Sequence, residues 1–509
     1  MGTGRDPRSP CLIGVAHHTW HADDVGDLGA PEPLEMWELV ARQAGEDAGT
    51  PEIFSELERL DVVYSQSWQY DNPVARLSER LGATPATGIY SGIGGSVPQT
   101  LLNGAATSIL QGELDVAMVV GAEALATIRR LKKNDQRPNW SYPPAEKQPF
   151  PMDIPYHPAE ISHSIFQAYL TFALFDNARR AHQQHSTTEY ATELGELMAP
   201  MSEIAATNPD AWFPTARTPS EISQPSASNR MVAFPYTKLM TAIMDVDMAA
   251  ALILVSDEKA DRLGVPQEKR VYLRSWASAT DPFYVGERRD LWRSPAMKAV
   301  TSSVLAQGGN SIDDVAHFDF YSCFASSLGF ALDAAGLDQK EFSSPLRSRS
   351  LSVTGGLPYH GGPGSNYMTH SLATMAQRLR NDPDSLGYVS GVGMHMTKHV
   401  GALWSATPGP VSPPNLPAIQ DKTAQDLEVV TLRESFTGSA QVATYSILHG
   451  REGTPEWGAL VCDLADGSRC YARLEDPDSL VFAENNELIG TTVLLSPDET
   501  GVTHASLVS

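Results

Sequence analysis

Twice along this 509-residue chain a strand-like run ends in a turn with paired glycines, and an amphipathic helix begins. The first passage is residues 87–91, then Gly92-Ile93-Gly94-Gly95-Ser96, then the apolar stripe Leu101, Leu102, Ala105, Ala106, Ile109 and Leu110. The second runs from Leu351 and Val353 through Gly355-Gly356-Leu357-Pro358-Tyr359-His360-Gly361-Gly362-Pro363-Gly364-Ser365-Asn366 to Met368, Leu372, Met375 and Leu379. Glycine lets a backbone approach a ligand closely and aim free N–H groups at it, most readily where a helix starts. A strand–turn–helix unit needs a sheet behind it, so the chain reads as α/β.

The surrounding pattern agrees. Strand-like runs at 12–16, 61–65, 87–91 and 115–121 alternate with helix-like runs at 34–48, 74–81 and 99–111. Such alternation predicts crossovers and a mostly parallel sheet covered on both faces. It restarts with strands at 271–276, 318–322, 388–391 and 402–406 and helices at 295–307 and 326–335, an order that favours two similar halves. Between 125 and 239 the rhythm breaks into basic residues, prolines, aromatics and one helical run at 159–182, the mark of an inserted loop domain. Residues 247–256 return to a helix-to-strand pattern. We therefore divide the chain into 1–266 (first half, with the insertion), 267–407 (second half), a Pro-rich linker at 408–417 and a β domain at 418–509. The last has strand-like runs at 427–433, 440–449, 460–464, 468–473 and 491–495 and a hairpin signal at Asp466-Gly467, as in a barrel of the OB type.

A net charge of −24 argues against nucleic acid or an anionic membrane as the main partner, and any anionic ligand then needs a local basic pocket. Arg129, Arg130, Lys132 and Lys133, with Arg230 and Lys238, are the residues from which to build one; a solvated loop explains them equally well. No secretory signal or membrane-length apolar run occurs, which points to the cytoplasm. Cys11, Cys323, Cys462 and Cys470 suggest neither a disulfide framework nor zinc, and His17, His18 and His21 read as surface rather than as metal ligands.

The second glycine turn resembles the G-G-L-x-x-x-G-H-P-x-G turn of the thiolase superfamily, and residues 10–407 are similar in order to its sterol-carrier-protein-type branch. The resemblance implies a layered αβαβα fold from two halves, an inserted loop domain and, beyond it, an OB-like barrel of the kind fused to some thiolase-like proteins. It also implies acyl-CoA as ligand or substrate, with no permanently bound cofactor, a role in lipid or sterol metabolism, and pairing through the first-half face or the barrel into a homodimer or with a partner protein. The family's nucleophilic cysteine falls on Gly92, beside Ser91, and its histidine on Gly362, with His360 two residues earlier. The H-D-C-F segment becomes Tyr321-Ser322-Cys323-Phe324, and the last cysteine motif becomes residues 389–393, without cysteine. His157-Pro158-Ala159-Glu160 resembles the stretch flanking the pantetheine pocket. Pocket-lining candidates are Ser91, Gly92, Gly94, Gly95, His157, Cys323, Gly355, Gly356, Gly361, Gly362 and His395.

Thioester exchange needs a polarizable thiolate, and glycine offers none. Ordinary thiolysis is therefore not expected, even where homology suggests an acetyl-CoA acetyltransferase. Three readings remain: an acyl-CoA-binding member of the acyltransferase superfamily, a retro-aldolase cleaving a carbon–carbon bond of a CoA thioester, and a non-catalytic lipid-binding or scaffold protein. The second would use Tyr321, with Tyr359 or His360, for proton transfer.

Overall fold

The computed structural model describes residues 5–26, 29–151, 156–344 and 346–508. Nine strands form one sheet in the order Thr87–Tyr90, Arg59–Val62, Val116–Ala124, Asp247–Ser256, Pro10–Thr19, Val271–Thr280, Lys398–Ser405, Leu386–Gly393, Val315–Asp319. This order is one pattern used twice. The five strands of the first half lie 3-2-4-5-1, and those of the second lie 1-5-4-2 outward from the centre. Its third place is held by Leu351, whose carbonyl accepts from Phe320 N–H at 2.9 Å. Pairing senses repeat too: parallel between second and fourth strands, antiparallel from fourth to fifth and from fifth to first. The halves join where Cys11 and Leu12 pair antiparallel with Tyr272 and Val271.

The sheet is therefore mixed, not mostly parallel. Each half leaves its fourth strand without a crossover helix, through the insertion in the first half and a short turn in the second, so the fifth strand returns antiparallel. Residues 247–256 are strand throughout, fully buried, because a strand covered on both faces reads as an unbroken apolar run.

The two helices that follow the glycine turns, Val97–Leu110 and Tyr367–Asn381, pack together and touch strands of both halves. Pro33–Asp47 and Pro73–Leu81 cover the outside of the first half, and Pro295–Gly308 covers the second. Helix, sheet, helix, sheet, helix is the five-layered arrangement expected.

The insertion is more helical than its composition suggests. The run expected at 159–182 is two helices, Pro158–Ser162 and Ala168–His182, and the stretch expected to be irregular holds Thr187–Thr207. A capping box of Ser186 and Glu189 starts that helix and was the signal available in the sequence. Ala168–His182 is buried from Leu170 to Arg180, because the barrel covers one face and the second half the other. Phe172 and Phe175 meet Phe324 and Phe330 on the second half, and Asn177 donates to Tyr445 O of the barrel at 2.8 Å.

The tail closes as a five-stranded barrel of Gly438–His449, Pro455–Asp463, Arg469–Leu474, Thr503–Leu507 and Thr492–Pro497 in that circular order. Helix Pro477–Asn485 joins the third strand to the fourth, the OB arrangement. The prolines at 408–414 lead into helix Leu416–Gln425, which lies against the second half rather than the barrel. No helix among the described residues is long and apolar enough to cross a membrane.

Candidate functional site

The helices of the central layer point their N-termini at one another, and this is where the glycine turns meet: Gly94 N–H donates to Ser365 Oγ at 3.0 Å. Ser91 holds the first turn from below, accepting from Tyr64 N–H at 2.9 Å and bonding its own neighbour's carbonyl, Gly92 O. Gly92 is exposed, and among the described residues a Cβ there would find nothing nearer than Pro151 O at 3.8 Å. Gly95 is the opposite case. A Cβ at Gly95 would fall on the Tyr321 hydroxyl and the Val392 carbonyl. Tyr321 thus sits against the first turn, filling the space between it and the end of strand Leu386–Gly393.

Tyr321 Oη has no hydrogen-bond partner among the described residues, and burial pushes its phenol far above the usual tyrosine range. At neutral pH it is a proton donor and not a base. Cys323, beside it, contacts Ser327 Oγ at 3.7 Å, and burial raises its thiol to about 12, so its thiolate is scarce at neutral pH.

Most N–H groups of the second glycine turn are already bonded within the protein. Gly355 and Gly356 donate to Ser352 Oγ and Thr354 Oγ1, and Leu357 to Ser322 Oγ at 3.1 Å. Tyr359 and His360 donate to Gly356 O, Gly362 to Ile243 O and Gly364 to Gly362 O. Residues 351–363 are buried. At Gly356, with φ +81°, any side chain would strike Met201 and Ser322. The glycines here serve core packing against the insertion helix.

His360 and Tyr359 lie apart from Tyr321. The ring of Tyr367 stands between, 5.6 Å from Tyr321 and 6.1 Å from His360, its hydroxyl donating to Asp319 at 2.9 Å. His360 belongs instead to a buried histidine group with His370 (5.5 Å), which in turn lies 6.0 Å from His17. Burial lowers His360 to about 3. His17, expected at the surface, turns its ring inward beside Asp210, 3.6 Å away. Tyr359 is enclosed with its hydroxyl unpaired among the described residues.

His157 and His395 have structural neighbours. His157 Nδ1 accepts from Ala159 N–H and caps its helix. The buried Glu160 carboxylate accepts from Tyr471 Oη at 2.8 Å and Val285 N–H at 3.0 Å, tying insertion, barrel and second half together. His395 shares hydrogen bonds with Thr171 Oγ1 (2.7 Å) and Tyr156 Oη (3.1 Å), and burial, with the Arg288 charge, lowers it to about 4. Arg288 donates to His395 O at 2.8 Å, and Arg469 of the barrel donates to Arg288 O.

A cavity of about 1040 Å³ lies over this centre and is lined by Arg129, Arg130, Lys133, Arg230 and Lys238. These are five of the six cations singled out in the sequence; Lys132 is not on its wall. Tyr169, Trp212 and Phe213 supply aromatic faces, and Arg451 of the barrel completes the lining. Nothing in the sequence links these four to the insertion's basic residues, and they go unseen there. Asp245 is the only carboxylate on the wall among the described residues, and Arg129 pairs with it. Lys133, Arg230, Lys238 and Arg451 have no carboxylate partner among the described residues.

The floor of the cavity reaches the thiolase-like centre. Ala242 N–H donates to Cys323 O at 2.8 Å, Ile243 N–H to Leu357 O at 3.3 Å, and Trp212 and Phe213 N–H to His360 O and Tyr359 O. None of the glycines, Ser91, His157, Cys323 or His395 lines the cavity itself.

No family model and no curated protein matches the chain. Among solved structures, it is similar to a monomeric SCP2-thiolase-like protein type 1 from Mycobacterium smegmatis, at 29% identity and a TM-score of 0.85, over 99% of this chain and 100% of that one. That alignment is long enough to include the barrel. The Ltp2-ChsH2(DUF35) aldolase aligns with a TM-score of 0.59 at 15% identity, over 78% of this chain and 98% of that one. The dimeric peroxisomal thiolase of Saccharomyces cerevisiae aligns with a TM-score of 0.54 at 14% identity, over 79% and 98%. The last two share the fold alone.

Proposed function

We infer that this chain is a thiolase-like protein of the SCP2-thiolase-like kind with a fused C-terminal barrel, and we propose that it binds a CoA thioester without carrying out ordinary thiolysis. The observation that supports this reading most is the convergence of unpaired cations and aromatic rings on one cavity in a chain of net charge −24. Cations without carboxylates are costly to cluster unless an anion joins them. A phosphate-bearing nucleotide fits both the charge and the aromatic faces, and a thioester arm directed at residues 241–243 would run toward Cys323 and Tyr321. With Gly92 in the nucleophile position and the Cys323 thiol held protonated, no acyl-enzyme forms there.

Titration calorimetry with CoA and acyl-CoAs tests the reading. Micromolar binding that weakens as salt rises supports it; no binding of any CoA species removes it.

A second reading rests on the unpaired Tyr321 hydroxyl. In retro-aldol cleavage of a 3-hydroxyacyl-CoA, a base takes the hydroxyl proton, the Cα–Cβ bond breaks to give a carbonyl, and the enolate of the shortened thioester is protonated at Cα. A buried, protonated phenol suits the donor role, toward the thioester oxygen or Cα. It does not suit the base. If 3-hydroxyacyl-CoA is cleaved by the wild type and at least ~100-fold more slowly by Tyr321→Phe, with CoA binding unchanged, the second reading holds.

A further inference from the structure

The barrel is an uncommon partner for an acidic chain if its task is nucleic acid, and its placement suggests another. Its first two strands, Gly438–His449 and Pro455–Asp463, are joined by a turn at residues 450–454. That turn reaches the insertion: Arg230 Nη1 donates to Gly450 O at 3.3 Å and to Met231 O at 2.9 Å. The strand Met231–Ala233 adds to the same barrel edge through the pair Ala233–Leu448. The turn therefore has a defined position over the cavity. Arg451 projects from it into the lining, exposed and without a carboxylate partner among the described residues.

From this we propose that the barrel is part of the ligand site: its first hairpin turn walls the cavity, and Arg451 supplies a cation that contacts a phosphate of the bound nucleotide thioester. The inference rests on the CoA-binding reading above and adds to it a residue from outside the thiolase-like body. The chemistry follows from the geometry. Arg230 spends two of its hydrogen bonds on backbone carbonyls and so positions the turn, while the Arg451 guanidinium keeps its donors for an oxyanion. Lys133, Lys238 and Arg130 line the same cavity, which gives a multiply charged ligand several cations to contact. A closed barrel fused in cis holds this arginine in place permanently, which lowers the ordering cost of binding.

The test is calorimetry on the full chain with CoA and with pantetheine, which lacks every phosphate, using wild type, Arg451→Ala and Arg451→Lys. Because Arg451 is exposed on a turn, thermal melting of the variants is expected to match wild type. The inference predicts that Arg451→Ala weakens CoA binding about 10-fold, that Arg451→Lys recovers part of the loss, and that pantetheine binding is unchanged. It also predicts a shallower salt dependence of CoA binding in Arg451→Ala. Equal CoA affinity in wild type and Arg451→Ala overturns the role of the barrel while leaving the CoA-binding reading intact. Failure of the wild type itself to bind CoA removes both. Equal weakening of CoA and pantetheine by Arg451→Ala also overturns the phosphate contact, since it marks a change in cavity shape.

Discussion

The hydroxyl of Tyr321 occupies the position from which a side chain at Gly95 would grow, while at Gly92, three residues earlier on the same turn, a Cβ would make only an ordinary contact with Pro151 O among the described residues. The two glycines therefore answer differently to the same substitution. Gly95→Ala forces a methyl group into Tyr321 and the Val392 carbonyl, neither of which is the end of a flexible chain, and is expected to cost about 1–3 kcal/mol. Gly92→Ala is expected to fall within about 0.5 kcal/mol of wild type. Urea unfolding of the two variants checks this, and equal losses would mean that Tyr321 does not press on the turn.

Burial also keeps the cysteines protonated. Burial raises Cys11, Cys323 and Cys470 to about 12 and holds Cys462 well above the usual thiol range. At pH 7.5 the reactive thiolate is scarce at all four. Iodoacetamide should label the native protein at least ~100-fold more slowly than the protein in urea. Rapid alkylation of Cys323 in the native state would restore it as a candidate nucleophile.

The halves and the barrel were legible in the sequence because each rests on local periodicity and on turns that glycine and proline announce, whereas the five layers came from the family resemblance alone. The sense of the fifth strands was not, since alternation reports that a strand follows and not how the chain returns to it. The basic cavity was half legible. Arg129, Arg130, Lys133, Arg230 and Lys238 stood out against an acidic background, whereas Tyr169, Trp212, Phe213 and Arg451 join them only through tertiary packing. His360 was misleading for a related reason. Its place in a motif suggested a site, but the Tyr367 ring separates it from Tyr321, and motif spacing carries no information about such an obstacle.

Barrel and body are joined by buried polar contacts, and this sets how they unfold. Tyr471 Oη donates to the buried Glu160 carboxylate and accepts from Gly286 N–H at 2.7 Å, so Tyr471→Phe leaves the Gly286 N–H without a partner and takes one hydrogen bond from Glu160, which keeps those from Val285 and His157 N–H. A loss of roughly 1–3 kcal/mol is expected. Calorimetric melting should show a single transition that moves down as a unit. A separate low-temperature transition for the barrel in the wild type would show that these contacts do not couple the two parts.

The buried histidines give the protein an acid-sensitive component whose sign follows from their environment. His360 is lowered to about 3 and His395 to about 4, and His370, enclosed beside His360 and His17, lies well below its ordinary 6.5. Each stays neutral in the folded chain while the unfolded chain takes up a proton near pH 6.5. Between about 6.5 and 4 the unfolded state therefore binds more protons, and this contribution to stability, complete above 6.5, is lost as pH falls, by up to ~1.4 kcal/mol per pH unit for each histidine. The groups facing the cluster are Asp210 and Gln377 beside His17 and Asn208 and Tyr367 beside His360; among the described residues Asp210 is the carboxylate paired with the cluster, and the pairing is with His17. Glu123 works in the other direction, since burial raises its carboxyl to about 7 and the folded state then holds the extra proton. The histidine part is isolated by comparison with His360→Asn. Urea unfolding at pH 7, 6 and 5 should show wild type losing stability relative to that variant by ~1.4 kcal/mol per pH unit below 6.5. A difference that stays constant across that range would mean that the imidazole of His360 takes up its proton in the folded state as easily as in the unfolded one, and that its enclosure is not what holds it neutral.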